Sequence, residues 1–173
     1  MTTINATTIY THNKDNGKSG KNFEVRVRAA ITPRTKVRRC KSMGKVDHYI
    51  YINGERVNIE IKTGAGTLDY NINGHIDTNI PATDHIDTLL ENTNYIIYNP
   101  AWDGEDVLEN AWVYTREEFV EMLHGYKGMV KYTRKGNTTI NIQTFSNSKK
   151  RATYIWNQTM DKMTLGEWLE TIR

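Results

Sequence analysis

The sequence predicts an α/β or α+β fold built on one central sheet, and three observations carry that expectation. Two alternating, β-branched runs flank an Asn-Gly pair at positions 53 and 54, the strongest short-range signal for a two-residue hairpin. Two capping boxes open helical patterns, one from Thr115 to Glu118 and one from Thr164 to Glu167. A continuous apolar run, NYIIYN at 94–99, reads as a buried strand. Strands mixed with helices point to a sheet with helices packed on it.

The elements follow in chain order. Residues 1–18 are polar and predict a flexible or edge segment. Ser19 is a candidate N-cap for a helix over about 20–31, with Phe23, Val27, Ala30 and Ile31 on one face. Glu24 to Arg28 also alternates like a strand, so periodicity leaves both open, and the helix is preferred. Pro33 ends that element, and 35–41 reads as a basic strand. The hairpin 46–62 follows, then loop-like stretches at 63–66 and 69–81. Thr83 or Asp84 caps a short helix through Glu91. After the strand at 94–99 come a short strand at 111–115 and a helix to about His124. Residues 130–134 and 138–144, joined by Lys135-Gly136-Asn137, suggest a second hairpin. A last helix over 166–172 turns Leu165, Trp168, Leu169 and Ile172 inward.

A chain of 173 residues suits a single domain with a real core. At 38% apolar and 25% charged it has the composition of a soluble globular protein. No apolar run approaches the roughly 20 residues that span a bilayer, so no membrane role is expected. The opening MTTINATTIY lacks the apolar stretch of a secretory signal. Cys40 is the sole cysteine. An internal disulfide and a Cys-based metal site are therefore excluded, and a reducing, intracellular (cytoplasmic) setting is expected.

The net charge of +3 hides an uneven pattern. Residues 1–62 hold 13 Lys/Arg and 5 Asp/Glu, residues 63–121 hold 1 and 12, and residues 122–173 hold 9 and 3. Two basic ends around an acidic middle suit a polyanion, with nucleic acid the first candidate.

The hairpin can be solved for geometry. With Asn53-Gly54 as the turn, Ile52 pairs with Glu55, Tyr51 with Arg56, Ile50 with Val57, Tyr49 with Asn58, His48 with Ile59 and Asp47 with Glu60. Opposite residues share a face. Asp47, Tyr49, Tyr51, Arg56, Asn58, Glu60 and Lys62 then lie on one face, and His48, Ile50, Ile52, Val57, Ile59 and Ile61 on the other. The second face is the hydrophobic anchor. The first sets two carboxylates side by side with a lysine beyond them. Opposed like charges destabilise a sheet unless something compensates, and a divalent cation does so well. Mg2+ takes one or two carboxylates plus waters and phosphate oxygens. A lysine beside it can position the attacking water or hold a phosphate. The alternative is that Lys62 merely neutralises Glu60 on a solvated face.

Asp47, twelve intervening residues and Glu60-Ile61-Lys62 resemble the signature of the PD-(D/E)XK, or restriction-endonuclease-like, nuclease superfamily. Val46 stands where that family often has proline. Gly17, Gly20, Phe23 and Glu24, spaced as G-x-x-G-x-x-F-E, resemble the first helix of Holliday-junction-resolvase-like members. The resemblance covers roughly 17–99 and implies a central mixed sheet flanked by helices in the order αβββαβ. It implies Asp47, Glu60, the Ile61 carbonyl and Glu24 as metal ligands. It gives Glu24, Asp47, Glu60 and Lys62 catalytic roles, with Lys62 orienting the nucleophilic water. The cofactor implied is Mg2+, with Mn2+ as a substitute, and no nucleotide cofactor. Residues 100–173 form an extension with no assigned counterpart.

Other features carry less. HIDT occurs at 75–78 and again at 85–88, but a metal site there needs the two loops to converge. Gly64-Ala65-Gly66 reads as a turn, and the four tryptophans, Trp102, Trp112, Trp156 and Trp168, as core or interface residues. Lys149-Lys150-Arg151 reads as a solvated turn that could grip phosphate. Cys40, among basic neighbours, reads as incidental.

The expectation is therefore a Mg2+-dependent endonuclease or exonuclease acting on DNA, in one domain. The alternative is a catalytically silent DNA- or protein-binding module of the same fold. DNA contacts are expected from Lys36, Arg38, Arg39, Lys41 and Lys45, on two opposite sides of a strand. A homodimer is an option, because paired cuts need two sites.

Overall fold

The computed structural model describes residues 19–40, 48–63, 67–68, 79, 81–126, 129–135, 139–143 and 149–172. The first element is a helix, α1 (Ser19–Ile31). Phe23, Val27 and Ile31 recur every four residues and are fully buried, which gives α1 its apolar stripe. A turn at Thr32 to Arg34 follows, and the expected basic strand contracts to β1 (Arg38–Arg39).

Strands β2 (His48–Ile52) and β3 (Glu55–Thr63) form the hairpin. Asn53 and Gly54 both have positive φ, 52° and 80°, the backbone of a type I′ turn. The register runs Ile52↔Glu55, Tyr51↔Arg56, Ile50↔Val57, Tyr49↔Asn58 and His48↔Ile59, as the sequence predicts. The next expected pair, Asp47 with Glu60, falls partly outside the described residues.

After a two-residue strand β4 (Thr67–Leu68), helix α2 (Ala82–Leu89) carries the chain over to β5 (Tyr95–Asn99). β5 lies parallel to β3, with Glu60↔Ile96 and Lys62↔Tyr98 in register. A parallel pair requires such a crossover. Strand β6 (Trp112–Thr115) returns antiparallel and runs directly into helix α3 (Arg116–His124). There the capping box is complete: the Glu118 amide donates to Thr115 Oγ1 and the Thr115 amide donates to the Glu118 carboxylate. Strands β7 (Lys131–Lys135) and β8 (Thr139–Gln143) pair antiparallel as the second hairpin. The chain ends in helix α4 (Lys149–Met160), strand β9 (Met163–Thr164) and helix α5 (Leu165–Thr171), the last capped by Thr164 Oγ1.

The sheet is mixed, six-stranded and ordered β1-β2-β3-β5-β6-β9. The expected α+β arrangement, a central mixed sheet flanked by helices, is present, but it is not the sole sheet: β4, β8 and β7 form a separate three-stranded one. The second hairpin pairs with β4, not with the hairpin at 48–63.

Helices cover both faces of the main sheet. On one, α1 and α5 pack with Ile50, Ile59, Ile97 and Val113. On the other, α2, α3 and α4 pack with Ile96, Tyr98 and Tyr114. The alternation of β3 fits this division, because Ile59 and Ile61 join the first core while Glu60 and Lys62 face the second side. Tyr114 brings a hydroxyl into the second core, where it hydrogen-bonds Thr159 Oγ1 at 2.7 Å. That bond satisfies both groups, as burial demands. Trp102, Trp112 and Trp168 are buried, and Trp156 packs beside Trp112. No helix among the described residues is long and apolar enough to cross a membrane.

Candidate active site

The acid at the centre of the motif is held by the sheet. Glu60 is buried, only 7% exposed, although it is a carboxylate. Its neighbour across the parallel ladder is the buried Ile96, and two residues on Lys62 stands half-buried opposite Tyr98. A buried carboxylate is costly unless charge or hydrogen bonds attend it. Lys62 shares its face and is a cation suited to that role.

On the hairpin, the rest of this face carries polar and aromatic side chains ordered by contacts. Arg56 donates from Nε to Asn58 Oδ1 at 3.0 Å and from Nη2 to Cys40 Sγ at 3.3 Å. Its guanidinium carbon lies 3.9 Å over the centre of the Tyr49 ring. Asn58 in turn donates from Nδ2 to the Asn92 carbonyl, and its amide donates to Asn94 Oδ1. The turn before β5 is thereby tied to β3. Tyr49 and Tyr51 meet edge to face with centroids 5.9 Å apart.

The other predicted residues are distributed as follows. Arg38 pairs with Tyr49 and so shares the face of Glu60, whereas Arg39 pairs with His48 and takes the opposite side. Both are exposed, as is Lys36 just before the strand. Ile61 lies in the β3–β5 ladder opposite Ile97, with its side chain against the first core. Asp47, Lys41 and Lys45 lie outside the described residues. So do His75 and Gly64-Ala65-Gly66, while His85 falls in α2 with only its backbone described.

The resemblance implies Glu24 as a metal ligand and catalytic residue beside Glu60, which needs both carboxylates on one side of the sheet. Glu24 meets the other face. Its Oε1 lies 3.1 Å from His48 Nε2 and accepts a hydrogen bond from Arg39 Nη2 at 2.9 Å. The reason is packing: α1 must set Phe23, Val27 and Ile31 on the Ile50 and Ile59 face, and Glu24, next to Phe23, follows them there. His48 is 1% exposed, a buried imidazole among apolar neighbours. Sequence reading put it on the anchoring face but gave it no role. A lone His in an otherwise aliphatic row was the signal that a polar partner would have to come from another element.

Cys40 is half-buried and its contact is Arg56. Lys149 and Lys150 are exposed in the first turn of α4, a helix where a solvated turn was expected. Among the described residues no group of three His, Cys, Asp or Glu side chains is placed to hold a metal ion.

Comparison of the chain with models of protein families, with curated proteins and with solved structures gave no match.

Proposed function

We propose that this chain is a metal-dependent nuclease that hydrolyses phosphodiester bonds in DNA, with Asp47, Glu60 and Lys62 at its centre. The observation that carries the reading is the hairpin register. The five pairs from Ile52↔Glu55 to His48↔Ile59 are those the motif reading requires. They support the sequence expectation of Asp47 opposite Glu60, with Lys62 on the same face. Apart from β4, which belongs to the other sheet, the chain order α1, β1, β2, β3, α2, β5, with β3 and β5 parallel, further supports a restriction-endonuclease-like core.

The residues fit a hard divalent cation. Glu60 offers carboxylate oxygens from a rigid strand in a largely dry position. Asp47 and Glu60 would hold Mg2+, which supplies Lewis acidity and lowers the pKa of water bound to it. Lys62 sits two residues from Glu60 on the same face, where its Nζ can hold a non-bridging phosphate oxygen or orient the attacking water. In the hydrolysis, a water oxygen bonds to phosphorus as one ester P–O bond breaks, and a proton ends on the leaving oxygen. Glu24, held against His48 and Arg39, acts as a positioning residue for the α1–β2 contact in this reading.

The test is a plasmid-nicking assay with added Mg2+ or EDTA. Wild type should cut only with Mg2+, and Glu60→Ala should not cut at all. Equal activity in EDTA, or full activity in Glu60→Ala, would overturn the reading.

A further inference from the structure

Aromatic side chains usually find cover, yet Tyr51, paired with Arg56 near the turn end of β2, is 47% exposed. Its neighbours explain how it stands. Tyr49 meets it edge-on, and the Tyr49 ring is itself covered by the Arg56 guanidinium. Arg56 is held by Asn58 and Cys40, so its contact with the Tyr49 ring is built before any ligand arrives. Arg38 pairs with Tyr49 on the same face, and exposed Lys36 precedes it. Among the described residues of β1, β2 and β3, Glu60 is the only acid on this side. Arg56 lies four residues from Glu60 along β3, about 13 Å at roughly 3.3 Å per residue.

We infer that Tyr49, Tyr51, Arg38 and Arg56 form a platform for the unpaired bases of a single-stranded nucleic-acid segment leading to the Glu60 site. This rests on the nuclease reading and names its substrate class. An exposed tyrosine ring and a stacked guanidinium offer flat π and cationic surfaces to any base. Bases inside a duplex are stacked on one another and have no open face to give. Arg38 and Lys36 supply the positive charge that a phosphate backbone needs. Aromatic surface with cationic flanks, on strands whose described residues carry no acid on this side but Glu60, is the chemistry that grips a single strand.

The experiment measures fluorescence anisotropy of oligothymidylate and of a mixed-sequence duplex of equal length, with the full chain in EDTA. Wild type should bind the single strand more tightly than the duplex. Tyr51→Ala should weaken single-strand binding roughly 5- to 150-fold and leave duplex binding unchanged. Tyr51→Phe should retain binding, because stacking uses the ring. Arg56→Lys should weaken single-strand binding without changing its salt slope, since charge stays and planarity goes. Equal losses on both probes, or no loss on either, would overturn the platform. The assay contains no divalent ion, so it separates the two proposals. Selective loss in Tyr51→Ala supports the platform even if wild type proves inactive with Mg2+. A Mg2+-dependent duplex cutter whose Tyr51→Ala variant binds oligothymidylate normally keeps the nuclease reading and loses the platform.

Discussion

The carboxylate of Glu24 lies 3.1 Å from Nε2 of His48, joining the first helix to the second strand at a point where the imidazole is almost fully buried. The same oxygen accepts from Arg39 of β1. Three consecutive elements thus meet at one carboxylate. Glu24→Ala should lower stability by about 1–3 kcal/mol, because the buried imidazole loses its carboxylate partner. Urea unfolding in EDTA checks this. A residue with no structural part would leave metal-free stability unchanged or raise it, so an unchanged urea midpoint would refute the positioning role of Glu24.

Glu60 and Lys62 should separate binding from chemistry. Glu60→Ala should abolish Mg2+-dependent cleavage. Lys62→Ala should slow single-turnover cleavage by orders of magnitude while DNA affinity is largely kept, because its main contact forms in the transition state. A Lys62→Ala variant with normal rate at saturation and weakened affinity would make Lys62 a phosphate-binding residue only. Asp47→Ala should match Glu60→Ala.

The two arginines of β1 should behave differently. Arg38 shares the Glu60 face, and Arg39 faces His48 and is engaged by Glu24. Replacing Arg38 by Ala should reduce the log–log salt slope of DNA binding by about 1 and weaken binding on every sequence. Arg39→Ala should leave the slope nearly unchanged. Titrations of affinity against NaCl in EDTA decide it, and the reverse ranking would remove the β1 face assignment from the binding site.

Acid should weaken the start of α3. Desolvation raises the Glu118 pKa. That effect is outweighed by the Thr115 amide and hydroxyl contacts and by Lys162 Nζ at 3.0 Å, so the carboxyl is held below its usual range. A folded pKa below the unfolded one gives stability that is present above the unfolded value, near 4.5. That stability is lost as pH falls through the folded value. Glu118→Gln should therefore lower Tm at neutral pH and converge with wild type in acid. Thermal melts from neutral to acidic pH follow this, and a constant gap across the series would refute it.

How much of this was legible in the sequence depends on distance along the chain. The β2–β3 register, its turn and the Thr115–Glu118 cap were readable, because each is fixed by residues within one turn or one hairpin. So was the inward face of α5, where four large apolar residues repeat at helical spacing. Helix α4 was not: its buried stripe is Ala152, Ile155 and Thr159, too small and polar to announce itself. The separate sheet of β4, β8 and β7 was hidden because two residues, Thr67 and Leu68, pair with a strand more than 70 residues away. The sequence by itself determined the faces of the hairpin, since side-chain alternation has a period of 2 wherever the strand lies. Only the tertiary structure decided which face α1 would cover. Burying Phe23, Val27 and Ile31 against Ile50 and Ile59 outweighs the direction of one carboxylate, and Glu24 went to His48 with them.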